Sequence, residues 1–519
     1  MIKKIEDNLV SIAVAILIIP VLIFCFGFLK LYIAIGMSVI ILFAYYRLIK
    51  SVVKVEEVKE AKEPPKSGNG KKKKSVEKTN TTDIKKTLIY YGVVLVVILV
   101  WVGFSGIGDF AYQNSDWVVR NAVFRDLVDY DWPVEYDFSG TSPEVASVIG
   151  VDSARFVYYF AFWLVPALFG KIFGYRVATI VLFIWTSLIL LVIVGLINRK
   201  LGKNSFITLI VLIVFSGMDI LKLDNIFRNI FTQDHIEWQS MYIQYSANTT
   251  QLYWVFNQCV MVWLIAALLL SIKNPESIIF VSCMTFCYSP FATFGVIPIA
   301  VCLLFLNLFR EKNPNIIKRL AKVAFSVETL CALGILIIFG TYYVSADTSI
   351  SDRGFTWIVN GLGFGEFFKI WLKFILTEFL LFIVVLFKDY KKDVLFWVIA
   401  LELLLIPFYK MTHANDFCMR ASMAPMFLLM IYVIEYLVKS KSKWGITLMT
   451  CLLVVGTVTP LHEVYRSVYQ TFNNHDYIIR NEMIYSVGNP STVEGAVLCN
   501  EQFYSKDYEN KFFYKYLSK

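Results

Sequence analysis

Charge is scarce in this chain, and histidine more so: charged residues make up 17% of 519 positions, and there are four histidines. So little charge over such a length is incompatible with a soluble globule of ordinary composition. No glycine-rich phosphate loop and no dinucleotide-binding pattern occurs. Seven of the nine cysteines (Cys25, Cys259, Cys283, Cys287, Cys302, Cys331, Cys451) lie inside apolar runs, and only Cys418 and Cys499 sit in polar segments. None has metal-ligand spacing and no disulfide framework emerges. The first apolar run lacks a small-residue cleavage site and is followed at once by a second, which fits a retained anchor. No internal repeat is visible.

What is abundant is apolar surface. The chain is 57% hydrophobic and 16% aromatic, with a mean hydropathy of +0.62, the signature of an all-α polytopic membrane protein. A crossing needs about 20 apolar residues. Runs near that length begin around Asn8, Leu31, Thr87, Tyr175, Ser205, Gln251, Ser277, Ala292, Ala324, Phe367, Val394, Ser422 and Trp444, which predicts about thirteen spans. The net charge of +9 does not signal nucleic acid, because the lysines and arginines fall in short loops between these runs, where they set orientation.

Residues 50–86, with Pro64-Pro65 and Lys71 to Lys74, are too polar and too rich in breakers to pack, and are expected to form a disordered cytoplasmic linker. Alternation from that anchor puts Arg199-Lys200, Lys273, Arg310 to Lys322, Lys388 to Lys392 and Lys439 to Lys443 on the cytoplasmic side, satisfying the positive-inside rule. It does so only if the apolar run Arg155 to Phe173 does not cross. That run is therefore expected to lie in or on the outer leaflet. The domain plan is an amino-terminal hairpin (1–49), the linker (50–86), a membrane core (87–460) and a small outer tail (461–519), in a multi-pass plasma-membrane protein.

Three outer segments carry candidate chemistry. In Asn114-Ser115-Asp116-Trp117, Asp116 places a carboxylate just beyond a helix exit, beside a tryptophan suited to headgroup depth. Val118 to Val128 follows as an amphipathic interfacial helix whose Arg120 and Arg125 reach toward phosphates. Between Gln233 and Trp254, His235, Glu237, Trp238, Tyr245, Asn248 and Gln251 interleave aromatics with amides and carboxylates, the mixture that holds sugar hydroxyls and stacks on pyranose faces. His235 and Glu237, with Asp116, leave room for a divalent metal, although the triad lacks register. In Asn415-Asp416-Phe417-Cys418-Met419-Arg420, an arginine opens a span. Such a charge needs a partner: Asp416, four residues earlier, orients it, and its guanidinium suits a phosphate. Asn415 completes this group.

With Asp116, the Tyr158-Tyr159…Leu164-x-Pro166-Ala167-Leu168 run and the late Asn415-Asp416-x-x-Met419-Arg420, the stretch from Thr87 to Pro460 resembles the GT-C superfamily of integral-membrane glycosyltransferases. That superfamily includes the protein O-mannosyltransferases and the lipid A aminoarabinose transferases. The resemblance implies a GT-C-like helical bundle with interfacial helices in the first outer loop. It also implies transfer of a sugar from a polyprenyl-phosphate carrier to a glycan, lipid or protein acceptor on the extracytoplasmic face. Asp116 would be the general base, Arg420 with Arg120 would meet the lipid phosphate, and the anomeric centre would invert. The competing expectations are a transporter or flippase, for which Pro290, Pro298, Glu328, Glu378, Glu402 and Glu435 would line a pathway, and a ligase or polymerase of lipid-linked polysaccharide.

Overall fold

The computed structural model describes residues 2–62, 73–222, 236–239, 242–310, 315–347, 352–412, 415–473 and 484–519. Within lipid a chain must satisfy its backbone polar groups internally, and the apolar runs accordingly fold as helices. The chain opens with α1 (Ile2–Phe28), α2 (Leu31–Lys62) and α3 (Lys73–Gly103). It continues with α4 (Trp117–Asp129), β1 (Glu135–Asp137), α5 (Pro143–Ile149), β2 (Ser153–Phe156) and α6 (Leu164–Phe173). Next come α7 (Tyr175–Leu201), α8 (Phe206–Val214), α9 (Asn248–Leu269), α10 (Pro275–Cys283), α11 (Thr285–Tyr288) and α12 (Pro290–Arg310). The remainder comprises α13 (Ile316–Ala324), α14 (Val327–Val344), β3 (Arg353–Phe355), α15 (Thr356–Val359), α16 (Phe364–Ile375), α17 (Leu381–Tyr390), α18 (Val394–Leu405) and β4 (Tyr409–Met411). It closes with α19 (Asp416–Ala421), α20 (Met423–Lys439), α21 (Lys443–Gly456), α22 (Val458–Asn473), β5 (Ile484–Ser486), β6 (Asn489–Pro490), α23 (Val493–Gln502) and β7 (Tyr504–Ser505).

All thirteen apolar runs are helical, but among the described residues ten helices are long and apolar enough to cross a membrane. The runs beginning at Ser205, Ser277 and Val394 fold instead as the short α8, α10–α11 and α18. Ten of the expected thirteen runs thus reach the length of a span among the described residues, and the other three form shorter apolar helices. The linker expectation also narrows: α2 runs on to Lys62 and α3 starts at Lys73, while residues 63–72 lie outside the described set.

The excluded run Arg155 to Phe173 becomes β2, a 3-10 turn and the ten-residue α6. At 1.5 Å per residue α6 is about 15 Å long, half the hydrocarbon thickness. Its last turn is fastened to the end of α4, since Lys171 Nζ donates to the carbonyl of Tyr130 at 2.5 Å.

Contacts sort the helix ends into two faces. At one, Lys200 pairs with Glu435 at 3.0 Å, Arg319 chelates Glu276, Arg47 meets Glu328 at 3.1 Å and Tyr432 donates to Asp393 at 2.7 Å. This basic face carries the lysine-rich turns. The opposite face is roofed by the first loop and the carboxy-terminal residues. There β1, β2 and β7 form one antiparallel sheet, with Tyr136 opposite Ala154 and Phe156 opposite Tyr504. The final residues also bond to the turn between α1 and α2: Lys30 N donates to Leu517 O at 2.9 Å and Lys519 N to Phe28 O at 3.2 Å. The tail is therefore part of the cap, not a separate appendage, and the expected boundary at 460/461 falls inside α22.

Candidate functional site

Helix α9 is the axis of the bundle, buried along nearly its whole length. Its helical geometry breaks at Val255 (φ −139°, ψ 37°). The break is a sharp bend: twelve residues of unbroken helix span about 18 Å, yet Trp263 Nε1 donates to Gln251 Oε1 at 3.3 Å. Phe256, just past it, is enclosed by Trp117 of α4 (ring centroids 5.1 Å, stacked), Phe162 (5.8 Å) and Trp163 (5.9 Å). Asn257 follows, buried, with neither amide atom hydrogen-bonded among the described residues.

Around this bend stand two carboxylate–guanidinium pairs. Asp116 occupies the position before the first turn of α4 and is 45% exposed on its side chain, whereas Arg120, one turn on, is 10% exposed. Arg120 Nη2 donates to Asp116 Oδ2 at 2.7 Å. The other terminal nitrogen, Nη1, is buried without a hydrogen-bond partner among the described residues. Asn114 sets the entry to the helix, accepting from Asp116 N at 3.1 Å and donating to Tyr253 O at 2.9 Å.

The second pair repeats this i, i+4 spacing. Arg420 is ion-paired with Asp416, and its Nε donates to Gln258 Oε1 at 2.8 Å. Ser289, at the junction of α11 and α12, donates to the same oxygen at 3.0 Å. Gln258 thus ties the arginine to the axial helix beside the bend.

Tyr158, beside Tyr159, lies within the electrostatic reach of both arginines. Their rings lie 3.9 Å apart. Burial pushes the Tyr158 hydroxyl well above its ordinary range, Tyr159 adds to that, and the charges of Arg120 and Arg420 both pull it back. One side chain therefore sits in the field of two guanidinium groups that are 300 residues apart in the chain.

The remaining sequence candidates fall elsewhere. Glu237 is buried and braces the loop before α9, accepting from Ala247 N at 2.8 Å and Gln244 Nε2 at 2.9 Å. Tyr245 is core, its hydroxyl donating to Leu403 O at 2.7 Å and its ring packed on Phe374. Asn248 donates to Leu212 O at 2.9 Å, and Gln251 to Ser246 O at 2.7 Å. Asn415, at φ 53°, caps α19 and donates to Tyr242 O at 2.7 Å. Each of these five side chains, four from the segment expected to hold a sugar and Asn415 from the group expected at the phosphate, thus bonds to backbone. His235 and the side chain of Trp238 lie outside the described residues. Among the described residues, no cluster of three histidine, cysteine or carboxylate side chains suited to a metal occurs.

Helix α4 does not float at an interface either. It is wedged into the cap with most of its residues buried, and Arg125 is held between the rings of Tyr175 and Tyr485, donating to Tyr485 O at 2.6 Å. Arg125 is thus a cap fastener and not a phosphate ligand. Gln258, Ser289, Phe256 and Trp163 were not singled out in the sequence. Gln258 alone carried a signal, as an amide inside an apolar span. No family model, curated protein or solved structure matches the chain.

Proposed function

We propose that this chain is a membrane glycosyltransferase that moves a sugar from a polyprenyl-phosphate donor to an acceptor hydroxyl at the capped face, which we take to be extracytoplasmic. The observation that carries the reading is that Asp116–Arg120 and Asp416–Arg420 both stand beside the bend of α9. A carboxylate half open to solvent and two nearby guanidinium groups are the minimum set for glycosyl transfer from a phosphate leaving group.

In this mechanism the acceptor hydroxyl attacks the anomeric carbon while Asp116 takes its proton. The bond from that carbon to the phosphate oxygen breaks, and the lipid phosphate departs with the electron pair. Arg420 and Arg120 stabilise the charge that develops on it. A single in-line displacement inverts the anomeric centre.

The transporter reading leans on intramembrane carboxylates, but Glu328 and Glu435 are ion-paired at the basic face. Purified protein supplied with a polyprenyl-phosphate sugar and a candidate acceptor tests the proposal. General-base catalysis is worth roughly 10²–10⁴-fold, so Asp116→Asn is expected to lose turnover by that factor while still binding donor. Arg420→Ala is expected to weaken donor binding. Wild-type turnover in the first variant and unchanged donor affinity in the second would remove both residues from the chemistry.

A further inference from the structure

On the basic face, remote from the two ion pairs, a cavity of about 950 Å³ opens between the ends of α17 and α20 and the start of α21. That volume lies within the range of sites that take a small organic ligand, roughly 300–1,000 Å³. Its lining is two-sided. Lys388, Lys439 and Lys441 contribute three positive charges against the single carboxylate of Asp389, and Ser440 and Ser442 add hydroxyls. Glu435, close by, is already matched by Lys200 at 3.0 Å and Lys439 at 2.9 Å. The other part of the wall is apolar, built from Val385 and Leu448. At its rim Trp444 is 87% exposed, an indole held out at the end of a membrane helix.

Cationic groups beside apolar wall, at the depth where spans end, match an amphiphile with a negatively charged head. A free anion would use the lysines and leave the apolar wall and the protruding indole without a role, whereas tryptophan is at home at headgroup level. We propose that this cavity seats the phosphate headgroup of an anionic phospholipid against Lys388, Lys439 and Lys441, with its first methylenes along Val385 and Leu448. The site is independent of glycosyl transfer.

The test is titration of phosphatidylglycerol into the full-length protein in detergent, read by native mass spectrometry, with phosphatidylcholine and inorganic phosphate in parallel. Lys388→Gln/Lys441→Gln leaves the Glu435–Lys439 pair in place, and Lys85→Gln/Lys86→Gln removes equal charge outside the cavity. The expected result is saturable phosphatidylglycerol binding, roughly ten- to thirty-fold weaker in the cavity variant, unchanged in the control variant and not displaced by inorganic phosphate. Equal binding of phosphatidylcholine, displacement by inorganic phosphate, or equal loss in both variants would overturn the proposal. The melting temperature of each variant without lipid separates lost binding from lost folding.

Discussion

A guanidinium in a span costs on the order of 2.5 kcal/mol or more at the bilayer centre and less near the span's end, where Arg420 stands, yet it still calls for a partner. Arg420 shows how compensation is built from single residues: Asp416 balances its charge, and Gln258 takes its Nε–H. The Asp416 contribution was legible, because i, i+4 spacing puts both side chains on one helix face. The Gln258 contribution was not, since 162 residues separate donor from acceptor. Asp126 was equally hidden among the acidic residues of the first loop. It is buried beneath the cap, accepting from Tyr136 Oη at 2.7 Å and Val487 N at 2.8 Å, and burial pushes its carboxyl up to about 7. In the unfolded chain the same group titrates near 3.9, an approximate model-peptide value. The folded state therefore holds this proton more tightly. Its contribution to stability is complete below pH about 4 and is lost as pH rises through about 7. Melting curves between pH 4.5 and 8 are expected to show wild type losing stability relative to Asp126→Asn over that interval; parallel curves would contradict the assignment.

Among the elements, those whose identity follows from local chemistry were readable and those defined by packing were not. The ten long helices follow from run length, a property of contiguous sequence, and α6 is shorter than any of them. The bend of α9 leaves no comparable mark, for Val255 is neither proline nor glycine. The backbone bonds of Glu237, Asn248 and Gln251 and of the Tyr245 hydroxyl, in the segment expected to hold a sugar, and of Asn415, expected beside the phosphate, were hidden for a related reason. Polar residues around a broken helix in a buried setting are needed to satisfy backbone groups, and composition alone does not distinguish that use from ligand binding. One close approach positions the second ion pair: a Cβ at Gly295 of α12 would overlap the Ala421 carbonyl oxygen, next to Arg420. Gly295→Ala must push α12 and α19 apart. Overpacking of this kind costs about 1–3 kcal/mol, so the variant is expected to melt lower and to bind donor more weakly although it touches no ligand. Unchanged donor affinity would show that the position of Arg420 is not critical.

At the level of the whole molecule, segments that hydropathy and charge bias assign to one side contact one another, because short basic turns mark one side independently of packing detail. Which compartment each face meets is a separate matter with a direct measurement. In a background without the exposed Cys451, a membrane-impermeant thiol reagent applied to intact cells is expected to label Ser139→Cys in the cap. It is expected to reach Lys441→Cys only after permeabilisation. The opposite pattern would invert the threading and place Asp116 on the cytoplasmic side. Long-range closure was beyond the sequence, since two-residue strands such as β7 carry no periodic signal and are specified by the partner they complete.

That closure bears on biogenesis. Strand β2 finds its outer neighbour only in Tyr504 and Ser505, and Asp126 finds the amide of Val487, so the roof over α4 cannot be finished while the ribosome is still translating the intervening helices. The segment bearing Asp116 is made early and locked late. Until the residues that carry β7 are synthesised, the nascent protein has a bundle but an unsecured lid over the helix that follows Asp116.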